Sequence, residues 1–310
     1  MVRRFAIEKN VIVPVETAGT ILVYINPDKD ERDYLVKTLN VDEHTLNSSL
    51  DPDEISRVEF EADHLAVIFK RPKNYSSADQ FLFKVSSVGL FLLKEQLLIV
   101  AAEDLPIFDG KPFARVTSLR DIILKLLCRS IIHFLDHLKV INYISDEIEQ
   151  KVNESLENRY LLNMFSLEKS LVYYLNSIHS NGVVIEKLRM NAVKIGFSQE
   201  STEFLDDLNI ENAQCYKQAE IYSNILSSLM DARASIISNN LNVMMKNLNA
   251  LVIAVAVPSF FAGVGGMSEF SNMIGFQNWR VGYGVFVLVM ILLGTGTFFA
   301  IKKIERFWRI

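Results

Sequence analysis

The chain has 310 residues, half of them hydrophobic, and a formal net charge of −5, with −8 on residues 1–246 and +3 on residues 247–310. This length allows one large domain or two modest ones, and the acidic majority of the chain attracts cations and disfavours a nucleic-acid partner. The sequence has no cysteine motif for a metal, phosphate-binding loop, nucleophile elbow or Ser/His/Asp arrangement, so we expect neither an enzyme nor an organic cofactor.

Residues 1–115 are predicted to form a cytoplasmic α/β domain. Charged residues and a proline interrupt the apolar character of the N-terminal segment, so no cleavable signal is expected there. A polar segment after the first predicted strand indicates a short helix with Asp28 or Asp30 as its N-cap. Apolar, β-rich segments predict strands of one sheet at 20–26, 64–72, 80–94 and 95–103.

Residues 116–246 are predicted to form a stalk of long cytoplasmic helices. Apolar residues at helical spacing predict three helices, at about 118–179, at about 183–194 and from 198 onward. The stretch Ser180-Asn181-Gly182 is interpreted as the stop signal of the first helix, and the third has no glycine or proline before Pro258. Because a helix of about sixty residues far exceeds the globular mean, we expect it to pack against other long helices and to continue into a membrane.

Two uncharged runs near the C-terminus predict membrane spans. The runs cover 247–268 and 281–301, and at about 1.5 Å per residue each reaches roughly 30 Å, the thickness of the hydrocarbon layer. Basic residues of the tail place both termini in the cytoplasm of a multi-pass plasma (inner) membrane protein. We expect transmembrane helix 1 at 247–266, an external loop at 267–280, transmembrane helix 2 at 281–301 and a basic cytoplasmic tail at 302–310.

Polar and small residues recur along one face of the first span. They are Asn242, Asn249, Ala256, Ser259 and Gly263, at spacings of seven, seven, three and four. Polar side chains against lipid are costly, so this face suits a water-filled lumen. Packing between helices through small and polar residues is the alternative interpretation of the same pattern.

Three separated segments resemble the CorA superfamily of divalent-cation channels. The segment VYINPDKDERDYLVKTLNVDEHTLNSSLDPDEISRVEFEADHLAVIFKRP is similar to that family's strand, helix, acidic turn and following strand. Asn242-Val-Met-Met-Lys246 resembles its Asn-x-x-Met-Lys entry to the pore helix. Gly266-Met267-Ser268 stands where the family carries Gly-Met-Asn at the outer mouth of the pore.

The resemblance implies a funnel-shaped homopentamer in the lipid bilayer that transports divalent metal ions, Mg²⁺ first, with Co²⁺ and Ni²⁺ as further candidates. First-span helices would line the pore and second-span helices would form an outer ring. Gly266, Met267, Ser268 and Glu269 would form the selectivity mouth. Because a serine hydroxyl is shorter than an asparagine side chain, we expect a wider ring and looser selectivity. Solvated loop residues after a glycine cap are the alternative interpretation.

Two other functions remain open from the sequence. Superfamily members of the ZntB type carry Gly-Ile-Asn and move Zn²⁺; this chain has Met267 like the magnesium group but lacks the asparagine common to both. A membrane-anchored sensor or scaffold without ion flux would explain the long helices and the spans, but not the polar face of the first span.

The resemblance also implies that cytoplasmic Mg²⁺ closes the channel through acidic residues. Asp207, with Asp206 beside it, lies near the acidic regulatory position thirty-five residues before Asn242. Asp79 from a neighbouring subunit is the candidate partner, since an oxygen-only site suits a hard cation. A solvated helix face is the alternative. His133 and His137 have the i, i+4 spacing of a zinc pair but no third ligand nearby, so a packed helix is favoured there.

Overall fold

The computed structural model describes residues 1–17, 19–75, 81–104, 106–154, 158–266 and 279–307. Contacts between residues divide the chain into two compact units, residues 1–230 and residues 231–310. The first unit is an α/β domain with long helices, and the described part of the second contains the two apolar helices, as predicted. The exact domain boundaries given above stay predictions.

A seven-stranded sheet forms the centre of the first unit. Its strand order is β2-β1-β3-β7-β6-β5-β4; β3 and β7 are parallel, and the other neighbours are antiparallel. The strands are β1 (Val2–Glu8), β2 (Val11–Pro14), β3 (Ile21–Ile25), β4 (Arg57–Phe60), β5 (Leu65–Pro72), β6 (Val85–Leu92) and β7 (Leu97–Ala101). The four strands predicted from apolar segments are β3, β5, β6 and β7, and their place in one sheet is confirmed.

Helices cover both faces of this sheet, which explains why β5, β6 and β7 are nearly continuous apolar runs. On one face, α1 (Lys29–Lys37) and α2 (Glu43–Leu50) pack over a small core that includes Leu35, Leu46 and Phe91. On the other face, α3 (Leu119–Glu154) and α4 (Asn158–Met190) pack over the larger core. The domain therefore has an α/β/α layering.

Local capping chemistry explains where the short helices begin. Asp28 caps α1: its side chain accepts the backbone N–H of Glu31, and the Glu31 side chain accepts the N–H of Asp28. The N-cap prediction is confirmed for Asp28. At the start of α2, a helix that was not predicted, the side chain of Asp42 accepts the backbone N–H of Thr45.

The N-terminal hairpin was also missed by the sequence reasoning. The sequence pattern predicted no strand in the first sixteen residues, whereas β1 and β2 pair as antiparallel strands. Lys9 and Asn10 connect them, with φ values of 48° and 66°. Positive φ at both central residues is the geometry of two-residue hairpin turns. Asn-Gly and Asp-Gly are the usual sequences for such turns, so the Lys-Asn pair did not predict one.

The prediction that a helix ends at Ser180-Asn181-Gly182 is wrong, because α4 continues through these residues to Met190. Asn181 faces the sheet and bonds to Lys70 instead of capping the helix. A Cβ on Gly182 would lie 2.9 Å from Nδ2 of Asn212. The glycine therefore permits a close approach of two helices and does not end one.

The longest helix, α6 (Gln199–Gly265), follows the short α5 (Ala192–Ile195) and a left-handed Gly196. It contains Pro258 in its interior and runs seven residues beyond it. The last helix is α7 (Trp279–Phe307). The part of the second unit that the structure describes consists of the end of α6 and of α7.

Candidate cation pathway

The predicted polar face is exposed along the last part of α6. Asn242, Asn249, Ala256, Ser259 and Gly263 are all exposed in the single chain. The hydroxyl of Ser259 donates to the carbonyl of Val255 at 2.8 Å, within its own helix. Neither asparagine side chain makes a hydrogen bond to another described residue. Their amide groups are therefore available to water or to a neighbouring chain.

The opposite face of the same helix segment is the covered one. Ala250 and Ala254 are buried, and Val257 and Pro258 are half-buried. At about 100° per residue, this covered face and the polar face are centred roughly 150° apart. The segment is therefore amphipathic, with its small residues turned inward and its asparagines turned away from them.

Gly294 on α7 makes the closest approach to the covered face. A Cβ at that position would lie 3.1 Å from the carbonyl oxygen of Ala254 and 3.3 Å from Cγ of Pro258. Because Pro258 has no N–H, it leaves the carbonyl of Ala254 without its usual helical partner. Gly294 thus allows the two apolar helices to approach at the place where the helical ladder is interrupted.

The large apolar side chains of these helices are exposed. The segments Gln199–Gly265 and Arg280–Ile304 each contain a stretch long and apolar enough to cross a membrane. The apolar stretch of the second has no buried residue, and that of the first has few. A core hairpin of a soluble protein would have these side chains covered, so the exposure favours membrane spans over that alternative.

The predicted selectivity mouth falls mostly outside the described residues. Gly266 follows α6 in a turn, where its N–H donates to the carbonyl of Ala262 at 3.0 Å. Met267, Ser268 and Glu269 lie outside the part of the chain that the structure describes. Their roles stay predictions.

The predicted regulatory acids have different surroundings. Asp206 forms an ion pair with Arg189 at 3.3 Å, and Arg189 also bonds to both carboxylate oxygens of Glu186. Asp207 is exposed and lines a groove of about 450 Å³ in the first unit, between the beginnings of α3 and α6. Asp79 lies outside the described residues. Both Asp206 and Asp207 are exposed, and among the described residues Asp207 has no ion pair; their regulatory roles stay predictions.

The histidine pair is buried in the first unit. Nε2 of His133 lies 3.1 Å from Nε2 of His137, and Nδ1 of His137 lies 2.6 Å from the hydroxyl of Tyr174. Burial first, then the neighbouring His137, and then the charges of Arg71 and Arg129 lower the pKa of His133 to about 3. Among the described residues, no three His, Cys, Asp or Glu side chains are grouped to hold a metal. The favoured interpretation of a packed helix face agrees with these surroundings.

Comparison with known proteins identifies the family. Residues 18–303 match the family of CorA-like Mg²⁺ transporter proteins. The chain belongs to this family. The family is one of Mg²⁺ transporter proteins, and the match covers the α/β domain from β3 onward and both apolar helices.

Individual relatives agree with this membership. The cobalt/magnesium transport protein CorA of Methanocaldococcus jannaschii is 28% identical over 290 residues, which cover 86% of each chain. The complete structure of the CorA magnesium transporter from the same organism has a TM-score of 0.76 at 21% identity and covers 95% of each chain. The ZntB cytoplasmic domain from Vibrio parahaemolyticus has a TM-score of 0.59 at 13% identity, covering 76% of this chain and 98% of that one. These structures share the fold with this CorA-like chain.

Proposed function

We propose that this CorA-like protein moves divalent cations across a membrane, with Mg²⁺ and Co²⁺ as the ions, through a pore lined by the last part of α6. One observation carries the proposal. The exposed asparagines of the first span, Asn242 and Asn249, lie on the face opposite to the one covered next to Gly294. Membership of a transporter family and the cobalt/magnesium names of the relatives support it.

The chemistry of a hydrated cation suits this face. Mg²⁺ loses its water shell reluctantly, so a pore for it needs neutral oxygen acceptors that hold the waters and not a cage that replaces them. The side-chain oxygens of Asn242 and Asn249 are acceptors of this kind, two helical turns apart. The net charge of −8 on residues 1–246 would raise the local concentration of cations available to the pore.

The proposed assembly is a homopentamer in the inner membrane with both termini in the cytoplasm. A single apolar helix cannot enclose a water-filled lumen, so several copies must bring their polar faces together. Residues 247–266 would line the lumen and residues 281–301 would face lipid. No atom of the described residues lies within 4 Å of a Cβ built at Gly282, Gly284 or Gly296 on α7, which leaves these sides of the helix open to lipid in the proposed assembly.

Reconstitution of the full chain into liposomes with a divalent-cation dye tests the proposal. We expect influx of Mg²⁺ and Co²⁺ down a gradient and no uptake in protein-free liposomes. Uptake of Zn²⁺ with exclusion of Mg²⁺ would replace the proposal with a transporter of the ZntB type. Absence of flux for all three ions, with and without Mg²⁺ inside, would favour a sensor or scaffold.

Ser268 is proposed to set the ion preference at the outer mouth. Ser268→Asn restores the family motif and is expected to tighten selectivity for Mg²⁺ over Zn²⁺, whereas Ser268→Ala removes the hydroxyl and is expected to reduce flux of both ions. Equal flux for Ser268→Ala and the native chain would exclude a filter role for Ser268.

Asp207 is proposed to bind the Mg²⁺ that closes the channel from the cytoplasm. Both carboxylates are exposed, but that of Asp206 is paired with Arg189, whereas Asp207 has no ion pair among the described residues. We expect Asp207→Asn to raise the closing concentration of Mg²⁺ at least threefold and Asp206→Asn to change it less. The measurement is flux at a series of internal Mg²⁺ concentrations, and an unchanged closing concentration for Asp207→Asn would remove this assignment.

A further inference from the structure

Lysines flank the apolar stretches of α6 and α7 at one level of the second unit. In the proposed topology the two helices cross the membrane in opposite directions, and Gly294 of α7 lies beside Ala254 of α6. Lys302 follows Gly294 by eight residues, and Lys246 precedes Ala254 by eight. At about 1.5 Å per residue, both lysines are about 12 Å from this contact, on its proposed cytoplasmic side. Lys303 adds a third cation to the same level.

These three lysines have no acidic partner in the described part of the chain. All three are exposed, and none forms an ion pair or a hydrogen bond with a described residue. Asp231 is the last acid of α6, fifteen residues before Lys246, and Glu305 is the first acid of α7. The proposed cytoplasmic end of the two helices is therefore positively charged and attracts anions.

Side-chain direction distinguishes the lysines of α7 from that of α6. The Cα–Cβ bonds of a helix tilt towards its N-terminus, which in the proposed topology is the external end of α7 and the cytoplasmic end of α6. Lys302 follows this tilt, since its Nζ lies 5.6 Å from the ring centroid of Phe298, one turn earlier. Its ammonium group therefore lies next to the apolar stretch, whereas the tilt directs Lys246 away from the bilayer.

The side of α7 that carries its two lysines is not covered by α6. At about 100° per residue, Lys302 and Lys303 lie about 80° and about 180° around the helix from Gly294, the residue in contact with α6. Lys303 is seven residues after Gly296 and so on the same side, where no atom of the described residues lies within 4 Å of the Cβ position of Gly296. With α7 in the outer ring, a step that rests on the proposed function, both lysines face lipid.

We propose that Lys302 and Lys303 bind the phosphate groups of anionic phospholipids in the cytoplasmic leaflet. Lys302 is the first charged residue after the uncharged run 281–301, which places it where the hydrocarbon layer meets the headgroups. Basic residues at this depth attract lipids with a net negative charge. Phosphatidylglycerol has this charge, whereas the choline group of phosphatidylcholine neutralises its phosphate. The outer ring would thus select its neighbouring lipids by charge.

Lipid-selective fluorescence quenching of the full chain in vesicles tests the proposal. Phe298→Trp, combined with Trp279→Phe and Trp308→Phe, leaves a single tryptophan beside Lys302. The probes are phosphatidylglycerol and phosphatidylcholine with brominated acyl chains, which quench tryptophan on contact. We expect phosphatidylglycerol to compete for this position at least about threefold better than phosphatidylcholine. Equal competition would overturn the proposal, and so would displacement of phosphatidylglycerol by excess inorganic phosphate at constant ionic strength.

Variants in this background separate a lipid site from a general effect of charge. Lys302→Gln should lower the preference for phosphatidylglycerol, and Lys302→Gln/Lys303→Gln should abolish it, whereas Lys302→Arg keeps the charge and should keep the preference. Lys246→Gln is the matched control, because it removes the same charge at the same level but on the helix proposed to line the lumen. It should leave the preference unchanged. Equal losses in Lys302→Gln and Lys246→Gln would overturn the site.

The quenching measurement is independent of ion flux. A chain without flux that keeps the preference for phosphatidylglycerol would contradict the proposed function and support the lipid site. Absence of quenching by either lipid would show that α7 does not face lipid, and this result would overturn the lipid site whatever the flux.

Discussion

Asparagines on the long helices have opposite surroundings in the two units of the chain. In the first unit, Asn181 is 1% exposed; its Oδ1 accepts the N–H of Lys70 at 2.8 Å and the hydroxyl of Ser56 at 2.9 Å, and its Nδ2 donates to the carbonyl of Lys70 at 2.8 Å. In the second unit, Asn249 is exposed and has no side-chain hydrogen bond to the described residues. One residue type therefore fixes a helix to a sheet in one unit and presents free polar groups in the other.

The difference shows how burial assigns a role to a polar residue. A buried amide must be satisfied within the fold, so Asn181 contributes stability and specifies how α4 lies on β5. An exposed amide on an apolar helix contributes nothing to the fold of the single chain and is costly in lipid, so its role lies in what it contacts outside the chain. Substitution of Asn181 should therefore lower the stability of the protein, and substitution of Asn249 should lower the flux of ions.

The largest expected effect is that of Asn181→Leu on stability. The substitution leaves the N–H of Lys70 and the hydroxyl of Ser56 without their acceptor, whereas the carbonyl of Lys70 keeps the hydroxyl of Ser130; each unsatisfied buried group costs about 1–3 kcal/mol. We expect the free energy of unfolding to fall by about 3 kcal/mol or more, measured by denaturant unfolding of the full chain. Asn142→Leu is the control, because Asn142 makes only one long bond of 3.4 Å to Asp146. Equal losses in both variants would contradict the structural role of Asn181.

Asn249→Leu should reduce Mg²⁺ flux at least tenfold without lowering stability. The substitution replaces a side-chain oxygen that accepts hydrogen bonds from the waters around the ion by an apolar group on the proposed pore face. A tenfold fall in flux corresponds to a transport barrier higher by about 1.4 kcal/mol, and folding is not affected. The matched control is Asn247→Leu, since Asn247 lies two residues earlier and on the opposite side of the same helix. Liposome flux measures both. If Asn247→Leu reduced flux as strongly as Asn249→Leu, the polar face would not be the ion path.

Gly294→Val should destabilise the contact between the two apolar helices by about 1–2 kcal/mol. A Cβ there would already lie 3.1 Å from the carbonyl oxygen of Ala254, and the two branches of valine enlarge the conflict. Gly296→Val is the control on the same helix, because no atom of the described residues lies within 4 Å of its Cβ position. Thermal unfolding in lipid nanodiscs distinguishes them. A native-like Gly294→Val would mean that the helices are separable at this point.

Much of the fold could be predicted from the sequence, and the failures have a common cause. Apolar runs such as 64–72 and the uncharged spans carry their own signal, because burial or lipid acts on every residue in them. Asn181 and Gly182 predict a helix end by their usual local role. The helix continues because Asn181 bonds to Lys70, which lies more than a hundred residues away in sequence and which no local pattern indicates. The exposed asparagine face was visible from spacing alone. The contact of His137 with Tyr174 was not, because the packing of α3 against α4 brings these residues together.

The smallest expected effect concerns the buried histidines of the first unit, whose polar atoms are turned inward like those of Asn181. Burial lowers the pKa of His133 to about 3 and that of His137 to about 4, below the ordinary value of 6.5. Protonation of the ring whose Nε2 accepts the 3.1 Å hydrogen bond from the other Nε2 would set two N–H groups against each other. Both rings are therefore neutral in the folded state at neutral pH.

Between pH 6.5 and about 4 the unfolded chain binds protons at these positions and the folded chain does not, so stability is full above pH 6.5 and falls as the pH is lowered. After allowance for partial screening, we expect a loss of about 1 kcal/mol from pH 7 to pH 5.5. Unfolding of the full chain at both pH values measures it. His133→Gln/His137→Gln should flatten this slope, whereas His179→Gln, at an exposed position, should leave it unchanged. If the double variant kept the native dependence of stability on pH, the acid sensitivity would come from other titrating groups of the chain and not from the histidine pair.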